Sequence, residues 1–162
     1  MKKPAITAIA LLSFIGTARA IDAPTYKEGF WAVHMVTTDN PGNKITDGKY
    51  SLCRNHAFDQ HLDNTPKNPR CTSKTDTLLG NKHVVETSCH FGTTTIDSRT
   101  VGTHINDTTV HSESTSTYTP ALMGHTQETM VIDFKYLGAC PAGIQPGDRV
   151  NSDGTVMHLW KH

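Results

Sequence analysis

Residues 71–89 read CTSKTDTLLGNKHVVETSC. Gly80-Asn81 is a two-residue turn signal, flanked by Leu78 and Leu79 on one side and by Val84 and Val85 on the other. A hairpin turning there sets Leu79 opposite Lys82 and runs outward until Cys71 reaches the level of Cys89 or His90. That is disulfide distance. A bridge closing a loop of this length stabilises the fold by about 3 kcal/mol, chiefly by restricting the unfolded chain.

Further strands are expected beside this stapled pair. Gly29 to Thr37 is the first strong β run, Asp39 to Asn43 is a concentrated turn signal, and Ile45 to Cys53 should return antiparallel. Arg54 to Arg70 is irregular, with Pro66 and Pro69, and one or two helical turns are expected over Asn55 to Leu62. After the hairpin come a long strand over Thr94 to Ile105, a turn at Asn106-Asp107, a return over Val110 to Thr119, and a closing strand over Thr126 to Leu137. No stretch carries helical periodicity beyond a turn or two. About seven strands in hairpin order predict an all-β chain: an antiparallel up-and-down, strongly curved sheet or small barrel with two disulfides. The β domain is expected over residues 21–139 and an irregular C-terminal tail, either a surface arm or a lid, over 140–162.

Alternation shows which faces can be buried. In the closing strand Met130, Ile132, Phe134 and Tyr136 share one parity and make a core face. The two strands before it are dominated by Thr and Ser on both faces, so they either stand in water or line a polar cavity. Trp31, Tyr118, Phe134 and Tyr136 are the candidate ligand-facing residues if the curved sheet holds a cavity.

The first twenty residues have the form of a secretory signal peptide: Lys2 and Lys3, an apolar run from Ala5 to Gly16, then Ala18-Arg19-Ala20 before the expected cleavage. Its apolar run is too short for a permanent membrane span. Cleavage removes three of the 15 basic residues and leaves 12 against 15 acidic ones, about three net negative charges. Nothing basic then remains to hold a phosphate backbone, so no nucleic-acid partner is expected. Four cysteines in an exported chain favour two disulfides over metal ligation or a catalytic thiol. The hairpin selects Cys71 with Cys89, which leaves Cys53 with Cys140.

Ten histidines are weighed against a metal site, which needs ligands that converge. His158 and His162 are four apart, and His104 and His111 are brought to neighbouring strands by a turn at Asn106-Asp107. These four are the candidate ligands. No Gly-x-Ser-x-Gly elbow, His-Glu-x-x-His or glycine-rich phosphate loop is present, and Glu86, Asp97, Glu113, Glu128 and Asp133 are scattered through the strands. No catalytic residue is assigned, no cofactor is implied, and the chain is expected not to be an enzyme.

Gly29-Phe30-Trp31 after a short leader, Leu52-Cys53 ending the second strand, the Cys71 and Cys89 hairpin, and Gly138-Ala139-Cys140-Pro141 with Pro146-Gly147-Asp148 together resemble the bacterial exported family catalogued as domain of unknown function 3617. The likeness runs from about Tyr26 to Asp153, although Phe30 stands where members more usually carry Leu. It implies a periplasmic, mostly β, disulfide-bonded domain and transfers no catalytic residue. The expected function is therefore a periplasmic or secreted, non-catalytic protein that holds a small apolar or amphiphilic ligand, or an extended peptide, on a curved sheet. The alternatives are transition-metal binding through histidines and an envelope protein that docks a partner along a strand edge.

Overall fold

The computed structural model describes residues 25–40, 42–64 and 70–160; the expected leader, residues 1–20, and His162 lie outside them. The Gly80-Asn81 turn joins β3 (Cys71–Leu79) to β4 (Lys82–Phe91), with Leu79 opposite Lys82. Left regular, that register would bring Cys71 to His90. Lys74 instead bulges out of β3 between Ser73 and Thr75, and the shift by one residue sets Cys71 opposite Cys89, to which it is bonded.

Ahead of this hairpin lie β1 (Gly29–Asp39), β2 (Lys44–Arg54) and α1 (His56–Asn64); behind it lie β5 (Thr94–Asn106), β6 (Thr109–Leu122), β7 (His125–Gly138), β8 (Asp148–Asn151) and β9 (Val156–His158). All nine strands form one antiparallel sheet in the order β3-β4-β5-β6-β7-β1-β2-β8-β9. The first seven follow the cyclic order of a seven-stranded meander, broken between β2 and β3. Two expectations are corrected here. The sheet is open and not strongly curled, where a strongly curved sheet or small barrel is expected, and it has nine strands among the described residues where about seven are expected. The outer edge of β2, which closure would need, is taken by β8 and then β9, while α1 is inserted in the connection to β3.

The C-terminal segment was expected to be irregular because of its prolines and glycines. It nonetheless contributes β8, whose Arg149 and Val150 pair with Leu52 and Ser51 of β2. The Cys53–Cys140 disulfide fixes the start of that segment to the end of β2.

Helix α1 begins where Asn55 accepts a hydrogen bond on Oδ1 from the Phe58 amide at 2.8 Å, an N-cap, and Glu28 accepts from the His56 amide at 2.9 Å. Its one fully buried side chain is Phe58, packed with Val33 of β1 and Leu52 of β2. Trp31, Val33 and Leu52 share one sheet face with Phe134 and Tyr136, their register partners or next neighbours, so the apolar core lies under β7, β1 and β2. Toward β5 and β6 the same face turns polar: Ser98 bonds Ser116 at 2.7 Å and Thr100 bonds Ser114 at 2.9 Å across the strands. Among the described residues no helix is long and apolar enough to cross a membrane.

Candidate functional site

Where the apolar core gives way to the hydroxyl-rich strands, the sheet face and α1 do not meet. They leave a cleft of about 500 Å³. One wall is α1 with Thr25 and Tyr26, which precede β1; the floor is the inner face of β4 to β7, from His83 and Val85 through Gly102, His104, Val110 and Ser112 to Phe134.

Tyr26 organises the wall. Its ring stands edge-on to Trp31 at 5.4 Å and to Phe134 at 5.7 Å, and tilted against His104 at 5.6 Å. Arg54, at the end of β2, lays its guanidinium over the same ring at 3.5 Å and donates to Asp59 Oδ1 of α1 from Nε at 2.9 Å and from Nη2 at 2.7 Å. Side-chain exposure is 10% for Arg54 and 18% for Asp59, so this pair is largely out of water. Burial raises the Asp59 carboxyl above its ordinary range despite the opposing arginine, and burial likewise raises the Tyr26 phenol.

On the floor, His83 Nε2 lies 2.6 Å from Asp76 Oδ1 of β3. His83 is the register partner of Gly102, and His104 is two residues further along β5 on the same face. Burial, with the positive fields of His83 and Arg54, holds the His104 imidazole below its ordinary value. Among the described residues neither the His104 ring nor the Ser112 hydroxyl has a side-chain hydrogen bond, so both are free to meet a ligand. Val110 and Phe134, register partners on β6 and β7, make an apolar patch beside His104 that suits an amphiphile, while Val85 stands apart on β4 opposite Thr100.

Of the four aromatic residues expected to face a ligand, Phe134 lines the cleft. Trp31 is wholly buried, donates from Nε1 to the Lys27 carbonyl at 2.8 Å, and packs edge-on against Tyr136 at 5.4 Å. Tyr136 in turn lies under Lys27, whose Nζ is 4.6 Å from the ring centre. Tyr118 is far along β6, opposite Ile96, where its hydroxyl donates to Glu128 at 2.7 Å; burial and that carboxylate push the phenol up to about 12.

The candidate metal ligands do not come together. His104 faces the cleft, while His111 stands on the opposite face and bonds Asp133 at 2.7 Å. The turn falls at Asp107-Thr108 and Ile105 bulges, so His104 pairs with Val110; a one-residue change of register turns His111 over. His158 bonds Asp148 at 2.6 Å in the β8–β9 hairpin, and its expected partner His162 lies outside the described residues. Among the described residues no three His, Cys, Asp or Glu side chains are grouped to hold a metal ion.

Tyr26, Arg54, Asp59, His83 and Gly102 were not foreseen as a group. A glycine inside a regular strand was the available signal for Gly102. Nothing local in the sequence joins Tyr26 to Arg54, because sheet pairing and α1 bring them together.

A search of curated proteins finds no match to the chain. The model of one family matches residues 26–140, from the wall tyrosine of the cleft to the second cysteine of the Cys53–Cys140 bridge. The chain belongs to that family, described as Protein of unknown function (DUF3617).

Proposed function

We propose that this protein is an exported, non-catalytic binding module that holds one small amphiphilic molecule in the cleft between α1 and the sheet. The observation that carries the reading is the cleft itself. Its volume of about 500 Å³ falls within the range of small-molecule sites, and it sets Val85, Val110 and Phe134 beside ungrouped polar side chains. The patch of Val110 and Phe134 takes the body of the ligand, and His104 and Ser112 orient its polar end. Export is supported by the charged, apolar and small-residue pattern of residues 1–20 and by the two disulfides, which persist in an oxidising compartment such as the periplasm or the outside medium.

Strand addition has less support. Edge strand β3 is interrupted by the Lys74 bulge and carries charge at Lys74 and Asp76, features that discourage pairing with another chain.

The test is titration of the isotopically labelled, disulfide-intact protein with 2-naphthalenemethanol, followed by amide and methyl shifts. Saturable changes confined to Val85, Val110, Leu62 and the residues around Phe134 are expected. Changes scattered over the opposite sheet face, or none at all, would remove the proposal.

A further inference from the structure

The cleft floor contains a residue the fold does not ask for. Gly102 is in the middle of β5, between His83 of β4 and Ser112 of β6. Its backbone is not in the left-handed region, and a Cβ built there would come no closer than 3.9 Å to any atom, the carbonyl oxygen of His83. Any β-branched residue would suit the strand better. Glycine therefore leaves a bare strip of backbone beside two imidazoles, opposite His83 and two residues from His104.

Resting on the cleft being the binding site, we propose that the polar end of its ligand is an anion of the carboxylate class, seated over Gly102 between His83 and His104. The charged groups that face His104 lie mostly on the helix wall. Arg54 is matched by Asp59, and His56 is engaged by Glu28, both along the helix wall. Asp63 also belongs to that wall, and Tyr26 presents a ring. Among the described residues on the sheet side, Asp76 is the carboxylate bonded to His83. The floor thus offers two imidazoles and the Ser112 hydroxyl.

Burial and repulsion from His83 and Arg54 disfavour a positive charge on His104. An anion lying between the rings reverses that balance. It accepts hydrogen bonds from the His83 ring, from Ser112 and from His104 once that imidazole is protonated, so binding draws in a proton and strengthens on acidification. The lack of a side chain at Gly102 lets the head group reach this level.

The experiment compares 2-naphthoate, which is ionised throughout, with neutral 2-naphthalenemethanol, which has the same ring, by calorimetry at about pH 7.5 and about pH 5.5. Naphthoate should bind roughly tenfold more tightly at the lower pH, the gain from a one-unit rise in an imidazole pKa. Its heat should vary with the ionisation enthalpy of the buffer, showing proton uptake. The alcohol should show neither effect. His104→Gln and His83→Gln should flatten the pH dependence of naphthoate binding and remove its buffer-dependent heat; Gly102→Leu should abolish binding of both probes without lowering the melting temperature. Equal, pH-independent affinity for the two probes would overturn the anion assignment and leave the cleft standing. So would a naphthoate preference that survives both glutamine variants. Binding of neither probe would remove the cleft reading and this one together.

Discussion

The guanidinium of Arg54 lies 3.5 Å above the ring centre of Tyr26 while its Nε and Nη2 both engage Asp59 Oδ1. One side chain thereby ties the end of β2 to the segment before β1 and to α1, three pieces of chain that share no strand pairing. Removing it leaves Asp59 largely buried and without its cation. Arg54→Ala is expected to cost about 2–3 kcal/mol, less than the 3–5 kcal/mol of a fully buried pair because Asp59 keeps some water. Arg54→Lys should recover only part of this, since ammonium lacks the planar fork and the stacking surface. Urea denaturation measures both, and full recovery by lysine would show that the stack and the fork contribute nothing.

Two aspartates should titrate in opposite directions. Asp47 is held down to about 2 by hydrogen bonds from Lys44 and His34, each at 2.8 Å. A depressed folded value means a contribution to stability that is complete above the ordinary 3.8 and disappears as pH falls from there through about 2. Asp59 has the reverse sign: burial raises it, so the folded state keeps the proton longer, and stability declines as pH rises from 3.8 through the raised value. Carboxyl-carbon NMR titration should place the Asp59 midpoint above that of Asp47. The opposite order would show that the arginine outweighs burial at Asp59.

The two disulfides should contribute unequally. Cys53–Cys140 spans 87 residues and Cys71–Cys89 spans 18, so loop closure assigns them about 4–5 and about 3 kcal/mol. Paired alanine replacement of Cys53 and Cys140 should lower the thermal midpoint more than the same change at Cys71 and Cys89. The shorter bridge joins strands already in register, so a larger loss there would mean that β3 depends on its crosslink to stay on the sheet.

The turn at Gly80-Asn81 was legible because its local chemistry sets the pairing, and the cysteine register was legible to within one residue. The residue that settles it, Lys74, has no bulge signature of its own. Hairpin order was legible as well. Hairpin order is common to a closed meander and to one opened between β2 and β3, and the difference comes from a long-range competition for the β2 edge. β8 was hidden for the same reason: Asp148–Asn151 is a strand because β2 offers unpaired backbone beside it, while Gly147 and the nearby prolines argue for a loop. The cleft depends on these long-range choices, so only its core-face parity at Phe134 could be read in advance.

Gly147 is the point at which the tail and α1 meet. Its amide donates to the Cys53 carbonyl and its carbonyl accepts from the Leu159 amide, both at 2.9 Å, joining the end of β2 to the residue after β9. Its φ of +90° suits glycine, and a Cβ would lie 2.7 Å from the Trp160 Cβ and 3.3 Å from Phe58 Cδ2. Trp160 is stacked on His61 at 5.6 Å and tilted against Phe58 at 5.9 Å, so the tail braces the side of α1. Gly147→Ala should therefore strain the backbone and push Trp160 and Phe58 apart, at a cost of about 2–3 kcal/mol. It should also speed hydrogen exchange at the amides of α1 more than at those of β5, because the helix that walls the cleft loses its brace. Denaturant titration and native-state exchange read the two effects separately. A loss of stability with α1 exchange unchanged relative to β5 would show that the tail is anchored to the sheet alone and that the cleft wall stands without it.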